Sequence, residues 1–314
     1  MQNLKRLKGD ASHRKFFRKK YKEYNSIVIL AKKNKFKNLL VYDAISKVLN
    51  KNKILAPKLY QENYKKNYIE IEDFGNETII KTLKKNKDKK FLYFKDIIKL
   101  LNQIQLIKSK KIKNFKNKYY FIPKYKKEIL VQEANLFCEW YVNKNLSKNK
   151  RKNFNKKFKK IIKILSSSLK IKNKVFVHRD FHVSNMMIKN KRIALIDNQD
   201  AILGNPAYDL ASLIDDVRIK TSNKLKSQIL NIYTRKLKNI DKNEFTNDFE
   251  ILSVLRNLKI IGIFSRLAMR DKKPKYLRLI PYAWKLIEHR LKNNSKFHQL
   301  NMVLKKNPKI KNAN

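Results

Sequence analysis

Hydrophobic residues in the first quarter of the chain fall in short runs, with one stretch of helical spacing among them. The β-branched run at residues 26–31 predicts a strand, and the alternation of apolar and acidic residues over Tyr68–Glu72 predicts a half-buried one. Between them, residues 36–50 repeat apolar side chains at three- and four-residue intervals, which predicts a helix. Residues 73–76 (DFGN) are typical of a turn. We therefore expect a small, sheet-bearing region that ends near residue 73.

Helical spacing dominates the sequence from about residue 77 onward. Apolar positions recur at three and four residues over 91–107, 126–144 and 153–170, and further helices are expected as far as residue 293. The residues after that are rich in Lys and Asn and are expected to fray. The expected divisions are a β-rich region at 1–73, a mainly helical region at 74–293 and a basic, flexible tail at 294–314.

One compact β-rich stretch interrupts the helices. Three short apolar runs at 175–177, 186–188 and 192–196 are each of strand type, and a Lys-Asn-Lys turn separates the last two. The sequence therefore predicts an α+β protein, with a sheet in its first part, helices in the remainder and this short β-rich insertion among them.

Positive charge is the strongest feature of the composition. The chain of 314 residues carries 77 Lys and Arg against 25 Asp and Glu, a formal net charge of +52. Such a charge could serve a nucleic-acid partner, because cations that neutralise phosphates gain affinity by releasing counterions. Most of these residues, however, are lysines spread over every segment, and Asn and Ile are also abundant, which fits a bias toward AT-rich codons. We expect weak, non-specific binding to polyanions and no specific nucleic-acid partner.

Cysteine usage and hydropathy indicate the compartment. The single Cys138 excludes an intramolecular disulfide, and the start of the chain (MQNLKRLKGD) lacks the apolar stretch of a signal peptide. The longest apolar runs are far too short to cross a bilayer. We expect a cytoplasmic protein without a membrane partner, and the sequence leaves the oligomeric state open.

The chemically informative segments are HRDFHVSN, after the first strand of the β-rich stretch, and IDNQD, at the end of its last strand. Phosphoryl transfer needs a carboxylate that accepts or orients the hydroxyl proton of the acceptor, and oxygen ligands for magnesium on the nucleotide phosphates. Asp180 suits the first role. Asn185 and Asp197 suit the second, since magnesium binds few protein oxygens besides waters and phosphates. Turn residues could produce an isolated Asp–Asn pair, but the joint pattern with NPAYDLA downstream favours a catalytic site.

The same segments resemble the aminoglycoside-phosphotransferase and choline-kinase branch of the protein-kinase-like fold. The likeness is carried by HRDFHVSNMMI and ALIDNQDAILGNPAYDLASLIDD. Three further blocks, GDASHRKFFR, EANLFCEWY and GIFSRLAMRDKKPKYL, are most similar to the bacterial anomeric kinases of N-acetylmuramate and N-acetylglucosamine. The resemblance spans about residues 8–290. It implies a two-lobed fold with a small β-rich N-lobe and a mainly helical C-lobe.

The resemblance also implies roles for individual residues. Asp180 would be the catalytic base, Asn185 and Asp197 would hold magnesium, and His178 and Asp209 would support the catalytic loop. The residues implied for ATP binding are Gly9, Asp10, Ala11, Ser12, His13 and Arg14 in a turn over the phosphates, and Glu70, Ile71 and Glu72 beside the adenine. The candidates for acceptor binding are His182, Asp200, Glu133, Asn135, Arg266 and Arg270. Each acceptor candidate also has a plain alternative: His182 could pack in the core, Asp200 could contact the metal, and the others could be surface or helix-end residues.

The sequence departs from the family pattern in three respects. The turn that would cover the phosphates has a single glycine, Gly9. The strand at 26–31 has no lysine to pair with phosphates, although Lys32 and Lys33 follow it. Asn198 stands where an aromatic residue is usual. The phosphate-pairing cation is therefore not identified by the sequence.

These features predict an ATP- and magnesium-dependent kinase of a small-molecule hydroxyl. The flanking blocks favour the anomeric hydroxyl of an amino sugar, in cell-wall sugar recycling. A kinase for another alcohol, such as choline, homoserine or an aminoglycoside, is the alternative within the same class. A basic RNA-binding protein on a kinase scaffold is the alternative of a different class, and the intact Asp180, Asn185 and Asp197 argue against it.

Overall fold

The computed structural model describes residues 4–7, 14–35, 37–292 and 294–307. The chain forms two compact units, each built from two stretches of sequence. The first unit contains Met1–Pro123 and Val175–Leu203, and the second contains Lys124–Lys174 and Gly204–Asn314.

A five-stranded antiparallel sheet opens the first unit. Its strands are β1 (Leu4–Leu7), β2 (Lys15–Lys20), β3 (Asn25–Leu30), β4 (Leu59–Asn63) and β5 (Tyr68–Glu72). Their order in the sheet is β1-β2-β3-β5-β4. The strands predicted at 26–31 and 68–72 are confirmed. Strands β1, β2 and β4 are not evident from the sequence, because charged and polar residues interrupt their apolar alternation.

Helix α1 (Lys37–Lys51) packs against this sheet. Ile29 and Ile69 are cross-strand neighbours on β3 and β5, and both are buried. Leu39 and Tyr42 of α1 belong to the same apolar cluster. The three- and four-residue spacing that predicts a helix at 36–50 is therefore the spacing that fills this core.

Two helices and three small sheets complete the first unit. They are α2 (Ile79–Lys85), α3 (Lys90–Gln105), β6 (Lys111–Lys113), β7 (Tyr119–Phe121), β8 (Val175–Val177), β9 (Met186–Lys189), β10 (Arg192–Leu195) and β11 (Ile202–Gly204). Strands β9 and β10 form a hairpin whose turn residues Asn190 and Lys191 both have positive φ, 48° and 61°. Two-residue hairpin turns need that conformation. The strands predicted at 175–177, 186–188 and 192–196 are confirmed.

The first compact unit reaches past the boundary predicted at residue 73. Strand β5 does end at Glu72, so residue 73 marks a change of local structure. However, single β-bridges join Thr78 to Met187 and Leu55 to Ala194, which attach the β9–β10 hairpin to residues that precede it. The predicted boundary is therefore not a boundary between the compact units.

The second unit is helical. Its helices are α4 (Lys127–Leu136), α5 (Asn143–Asn145), α6 (Lys148–Ser167), α7 (Ala207–Ile214), α8 (Asn223–Thr234), α9 (Lys242–Met269), α10 (Ile280–Leu291) and α11 (His298–Lys305). Helix α9 is buried on most of its surface, which is typical of a central core helix. Of the helices in the described ranges, none combines the length and apolarity needed to span a membrane.

The segment predicted as one helix at 126–144 is interrupted by a π-helical turn, Phe137–Val142, between α4 and α5. Helix α9 crosses the chain closely at this point. A Cβ atom at Gly262 would lie 2.3 Å from the carbonyl carbon of Leu136, so this position requires glycine. Apolar spacing at three and four residues does not indicate the i→i+5 hydrogen bonds of a single π turn inside a helix.

The prediction of a flexible tail from residue 294 onward is wrong for residues 294–307. Helix α11 and the turn before it bury Phe297, Leu300 and Leu304 in the core of the second unit. The many lysines and asparagines hide this spacing, although three apolar side chains suffice to dock a short helix. Residues 308–314 lie outside the described ranges.

Candidate active site

Strand β8 leads into a tight loop that contains the predicted catalytic base. Arg179 has φ of 70°, in the left-handed region that non-glycine residues rarely adopt. The N–H of His182 donates to the carbonyl oxygen of Asp180 at 2.9 Å, and the N–H of Asn185 donates to that of His182 at 2.9 Å. Nδ2 of Asn185 also donates to the carbonyl oxygen of Asp180 at 3.1 Å. These bonds hold Asp180 and Asn185 in one loop.

Strand β10 brings Asp197 to the same loop. The N–H of Ile196 donates to the carbonyl oxygen of Asn185 at 3.1 Å. Asp197 has φ of 64°, again left-handed, and its side chain is 37% exposed. Strained backbone of this kind clusters at functional sites. The structure thus brings together the three residues, Asp180, Asn185 and Asp197, that the sequence predicts for catalysis and metal binding.

Negative charge accumulates around Asp197. Burial raises the pKa of Asp197; Arg14 opposes this shift, while the carboxylates of Asp180 and Asp200 add to it. Asp200 is exposed and accepts a hydrogen bond from Nε2 of Gln199 at 3.0 Å. The acidic neighbours of Asp197 therefore favour a cation beside its carboxylate.

These residues fit a magnesium ion that a nucleotide brings with it. Among the residues that the structure describes, no group of three or more His, Cys, Asp or Glu side chains could hold a metal by itself. Magnesium commonly takes one or two carboxylates and completes its shell with substrate phosphates and waters. Nδ2 of Asn185 is used within the loop, so Oδ1 is the atom of this amide that can bind a cation. Asp197 supplies a second oxygen donor.

A buried polar link lies beneath the loop. Nε2 of His178 lies 3.0 Å from Oδ1 of Asn198, and Nδ2 of Asn198 donates to Oγ of Ser46 on α1 at 3.4 Å. Asn198, which replaces the usual aromatic residue, thus connects the position after Asp197 to α1. This arrangement fits the supporting role of His178, which stays a prediction.

Two further predicted residues are buried. His182 lies inside the loop with its Nε2 3.4 Å from Nδ2 of Asn185, as the packing interpretation expects. Asp209 is fully buried in the first turn of α7. Its loop-supporting role stays a prediction.

Arg14 contributes its side chain to the site. Its Nη2 donates to Oδ1 of Asp197 at 2.6 Å, and its Nη1 donates to Oε1 of Gln199 at 2.9 Å. The guanidinium carbon lies 5.7 Å from the ring centre of Phe16 and 6.0 Å from that of Tyr42, within the range of cation–π attraction. The other residues predicted for this turn, Gly9, Asp10, Ala11, Ser12 and His13, lie outside the described residues.

The adenine contacts expected at Glu70, Ile71 and Glu72 fall within a central strand. Strand β5 is paired on both sides, with β3 and with β4, and the N–H of Glu72 donates to the carbonyl oxygen of Lys58 at 2.8 Å. The backbone of this segment is therefore committed to the sheet. The position of these three residues beside the adenine stays a prediction.

Arg18 fixes the turn that follows β5. Its Nη2 donates to Oδ1 of Asp73 at 3.0 Å and to the carbonyl oxygen of Gly75 at 2.9 Å. Its Nη1 donates to Oδ1 of Asn76 at 2.8 Å. The sequence does not indicate this role, because nothing in a chain so rich in cations distinguishes Arg18 from its basic neighbours.

In the second unit, two of the predicted acceptor residues already bind protein groups. The carboxylate of Glu133 on α4 accepts hydrogen bonds from Nζ of Lys259 on α9 at 2.8 Å and from the hydroxyl of Tyr125. Nδ2 of Asn135 donates to the carboxylate of Glu139 at 3.0 Å, one turn further on. Glu133 is thus part of an ion pair that ties α4 to α9.

Three arginines in or directly after α9 differ in how well they are paired. Arg270 is exposed and forms an ion pair with Asp271 at 2.7 Å. Nε of Arg266 is buried without a hydrogen-bond partner, and burial, followed by the nearby Arg270, lowers the pKa of Arg266. Arg256 is only 6% exposed, and its Nη1 has no partner. Arg256 lies one turn before Lys259 on the same helix face. Sequence reasoning does not single out Arg256, because only the structure shows that it is buried.

The fold and the catalytic loop define the chain as a phosphotransferase of the kind that acts on small molecules. Sequence comparison agrees, since the profile described as the phosphotransferase enzyme family matches residues 3–241. The chain belongs to this family. The predicted enzyme class, a small-molecule kinase, is confirmed.

The similarity to individual relatives extends over most of the chain. The N-acetylmuramate/N-acetylglucosamine kinase of Neisseria meningitidis is 28% identical, over 87% of this chain and 81% of the relative. The protein of that name from Pseudomonas putida is 26% identical, over 89% and 80%. A solved structure of an aminoglycoside phosphotransferase with ADP bound matches with a TM-score of 0.60 at 16% identity, over 91% of this chain and 95% of that one. This likeness shows the fold, and it confirms the predicted α+β, protein-kinase-like class.

Proposed function

We propose that this chain transfers the terminal phosphoryl group of ATP, with magnesium, to the anomeric hydroxyl of N-acetylmuramate or N-acetylglucosamine. The observation that carries the proposal is the loop that holds Asp180, Asn185 and Asp197 together. Two relatives named as kinases of these sugars, 28% and 26% identical over most of the chain, support the acceptor. The reaction would serve the recycling of cell-wall sugars.

Asp180 is the residue that would accept the proton of the acceptor hydroxyl. Its carbonyl oxygen accepts hydrogen bonds from His182 and Asn185, which fix the peptide while the half-buried carboxylate keeps its oxygens for the acceptor. As the acceptor oxygen bonds to phosphorus, its proton passes to Asp180, and the electron pair of the broken phosphorus–oxygen bond stays on ADP.

Asn185 and Asp197 would hold magnesium, which would neutralise phosphate charge during the transfer. The hydrogen bond from Nδ2 of Asn185 to Asp180 orients the amide oxygen of Asn185, so one contact positions both the base and a metal ligand. The raised pKa of Asp197 reflects burial and neighbouring carboxylates. A divalent cation relieves both effects.

A kinase for choline, homoserine or an aminoglycoside would use the same catalytic loop. The loop does not distinguish these acceptors, and the relatives named as kinases of N-acetylmuramate and N-acetylglucosamine are what favours an amino sugar. A choline kinase would instead need an aromatic cage around the quaternary amine.

The decisive experiment offers ATP and magnesium with each acceptor and locates the phosphate by phosphorus NMR. We expect a product phosphorylated at the anomeric carbon with one or both amino sugars, and none with the Asp180→Asn variant. Turnover of choline or an aminoglycoside, with neither sugar accepted, would contradict the acceptor while leaving the kinase assignment intact. No turnover with any acceptor would contradict the proposed function.

A further inference from the structure

Phosphoryl-transfer sites place a side-chain cation on the nucleotide phosphates, and the cations on and next to strands β2 and β3 can be compared for this role. Strand β3 (NSIVIL) contains no lysine. Lys32 and Lys33, which follow it, are exposed. On β2, Arg18 and Lys19 each form an ion pair with a carboxylate of the first unit. These cations are thus exposed or already neutralised by acids outside the catalytic loop.

Arg14 differs from these cations because its partner is the predicted metal ligand. Its Nη2 lies 2.6 Å from Oδ1 of Asp197, and its side chain is only 11% exposed. Gln199 accepts from the other terminal nitrogen at 2.9 Å, and the rings of Phe16 and Tyr42 lie within 6.0 Å of the guanidinium carbon. Among the described residues, no second cation forms an ion pair with Asp197.

A metal ion and Arg14 would compete for the carboxylate of Asp197. Magnesium binds carboxylate oxygens at about 2.1 Å, so an ion on Oδ1 would lie within about 5 Å of the guanidinium nitrogen that is 2.6 Å from the same oxygen. Like charges at that separation in a partly buried site repel each other. Nucleotide phosphates carry enough negative charge to attract both cations, so they offer Arg14 an alternative partner.

We infer that Arg14 is the phosphate-binding cation of this chain, and that it exchanges Asp197 for the phosphates when the magnesium nucleotide binds. The inference rests on the proposed function, and it assigns the cation that the sequence leaves unidentified. It has a specific consequence: the bond between Arg14 and Asp197 should weaken binding of the bare metal, whereas Arg14 should strengthen binding of the bare nucleotide.

The test is a pair of titrations on Arg14→Gln, which removes the charge and keeps a polar side chain. Mn²⁺ without nucleotide, followed by electron paramagnetic resonance of the free ion, should bind at least about threefold more tightly than to the wild type, because its competitor is gone. ADP with a chelator, followed by calorimetry, should bind roughly 10- to 100-fold more weakly, the loss expected for a charge-assisted hydrogen bond.

Two variants serve as controls. Lys15→Gln makes the same charge change at the adjacent, exposed residue of β2, and both affinities should stay at the wild-type level. Arg14→Lys keeps the charge and loses the planar fork. It should bind Mn²⁺ much as the wild type does and lose less ADP affinity than Arg14→Gln.

Opposite changes in the two affinities support the inference. If Arg14→Gln weakens both together, Arg14 has a structural role and the inference is wrong. It is equally wrong if neither affinity changes. If the wild type binds ADP and Mn²⁺ but phosphorylates no acceptor, the proposed function is wrong, while these titrations still decide the role of Arg14. If the wild type binds neither ADP nor Mn²⁺, the proposed function and the inference about Arg14 are both wrong.

Discussion

Asp197 in the first unit and Asp215 in the second show two ways in which this protein holds a carboxylate. Asp215 is fully buried and accepts hydrogen bonds from Lys226 at 2.7 Å, Arg290 at 2.9 Å and Ser253 at 2.5 Å. Although burial favours its neutral form, Arg290 and Lys226 hold the pKa of Asp215 below its usual range. Among the described residues, Asp197 forms an ion pair with Arg14 alone, and its pKa is raised.

The difference separates a charge that supports the fold from a charge that is kept for a ligand. The partners of Asp215 come from α8, α9 and α10, so its carboxylate joins three helices to the end of α7. Asp197 instead has strained backbone, partial exposure and other carboxylates nearby. Structural ion pairs are satisfied within the protein, whereas a binding site leaves part of its charge for the ligand.

The largest expected effect is on stability, in Asp215→Asn. Removing the carboxylate leaves Lys226 and Arg290 without their shared anion, which should lower the free energy of unfolding by about 3–5 kcal/mol. Urea denaturation followed by circular dichroism measures this change. The matched control is Asp96→Asn, which breaks an exposed pair with Lys99 and should cost less than about 1 kcal/mol. Similar losses in the two variants would remove the distinction between Asp215 and a surface acid.

The contribution of Asp215 to the free energy of unfolding should depend on pH. Because the pKa of Asp215 is lowered on folding, its contribution is fully present above the ordinary carboxyl pKa of about 3.9. The contribution is lost as pH falls through the lower pKa of the folded state. The stability difference between the wild type and Asp215→Asn should therefore shrink in acid. A difference that stays constant from neutral pH to about pH 3 would contradict the assignment.

The second effect is on catalysis, in Asp180→Asn. Turnover should fall by at least about a hundredfold, in line with the contribution of a general base. Stability and ADP affinity should change little, because no side-chain bond of Asp180 holds the described loop together. Turnover is measured as ADP release with the preferred sugar. Near-native turnover would show that Asp180 is not the base.

How much the sequence predicts depends on how local the determining contacts are. Helix α1 and the β9–β10 hairpin follow from apolar spacing within each segment. The pairing of Asp180 with Asn185 lies within one loop, so a motif of adjacent residues contains it. By contrast, Arg14 and Asp197 are 183 residues apart, and no periodicity links them.

Strand β5 and the C-terminal helix show two other limits. The alternation over Glu70–Glu72 indicates a strand, but it does not show that neighbouring strands on both sides occupy the backbone. Helix α11 depends on three apolar side chains that pack against distant residues, and its lysine-rich composition suggests a free tail. In both cases the deciding contact is tertiary, so local pattern cannot supply it.

A third, smaller effect on stability tests Asp197 directly. Asparagine tolerates the left-handed conformation at this position and removes repulsion with Asp180 and Asp200. Asp197→Asn should therefore change the free energy of unfolding by less than about 1 kcal/mol, despite losing its bond to Arg14. At the same time, magnesium should no longer strengthen ADP binding, which calorimetry with and without the metal would show. A stability loss as large as that of Asp215→Asn, with metal dependence retained, would reverse the comparison between the two carboxylates.

The smallest expected effect is at Arg256, whose buried Nη1 has no partner. Arg256→Met keeps much of the side-chain volume and removes an uncompensated charge, so stability should stay equal or rise slightly. Arg278→Met, at an exposed position, is the matched control and should leave the free energy of unfolding unchanged. Urea denaturation of both variants, followed by circular dichroism, measures the two changes. A loss of more than about 1 kcal/mol in Arg256→Met alone would show that the charge of Arg256 supports the fold, as the charge of Asp215 does.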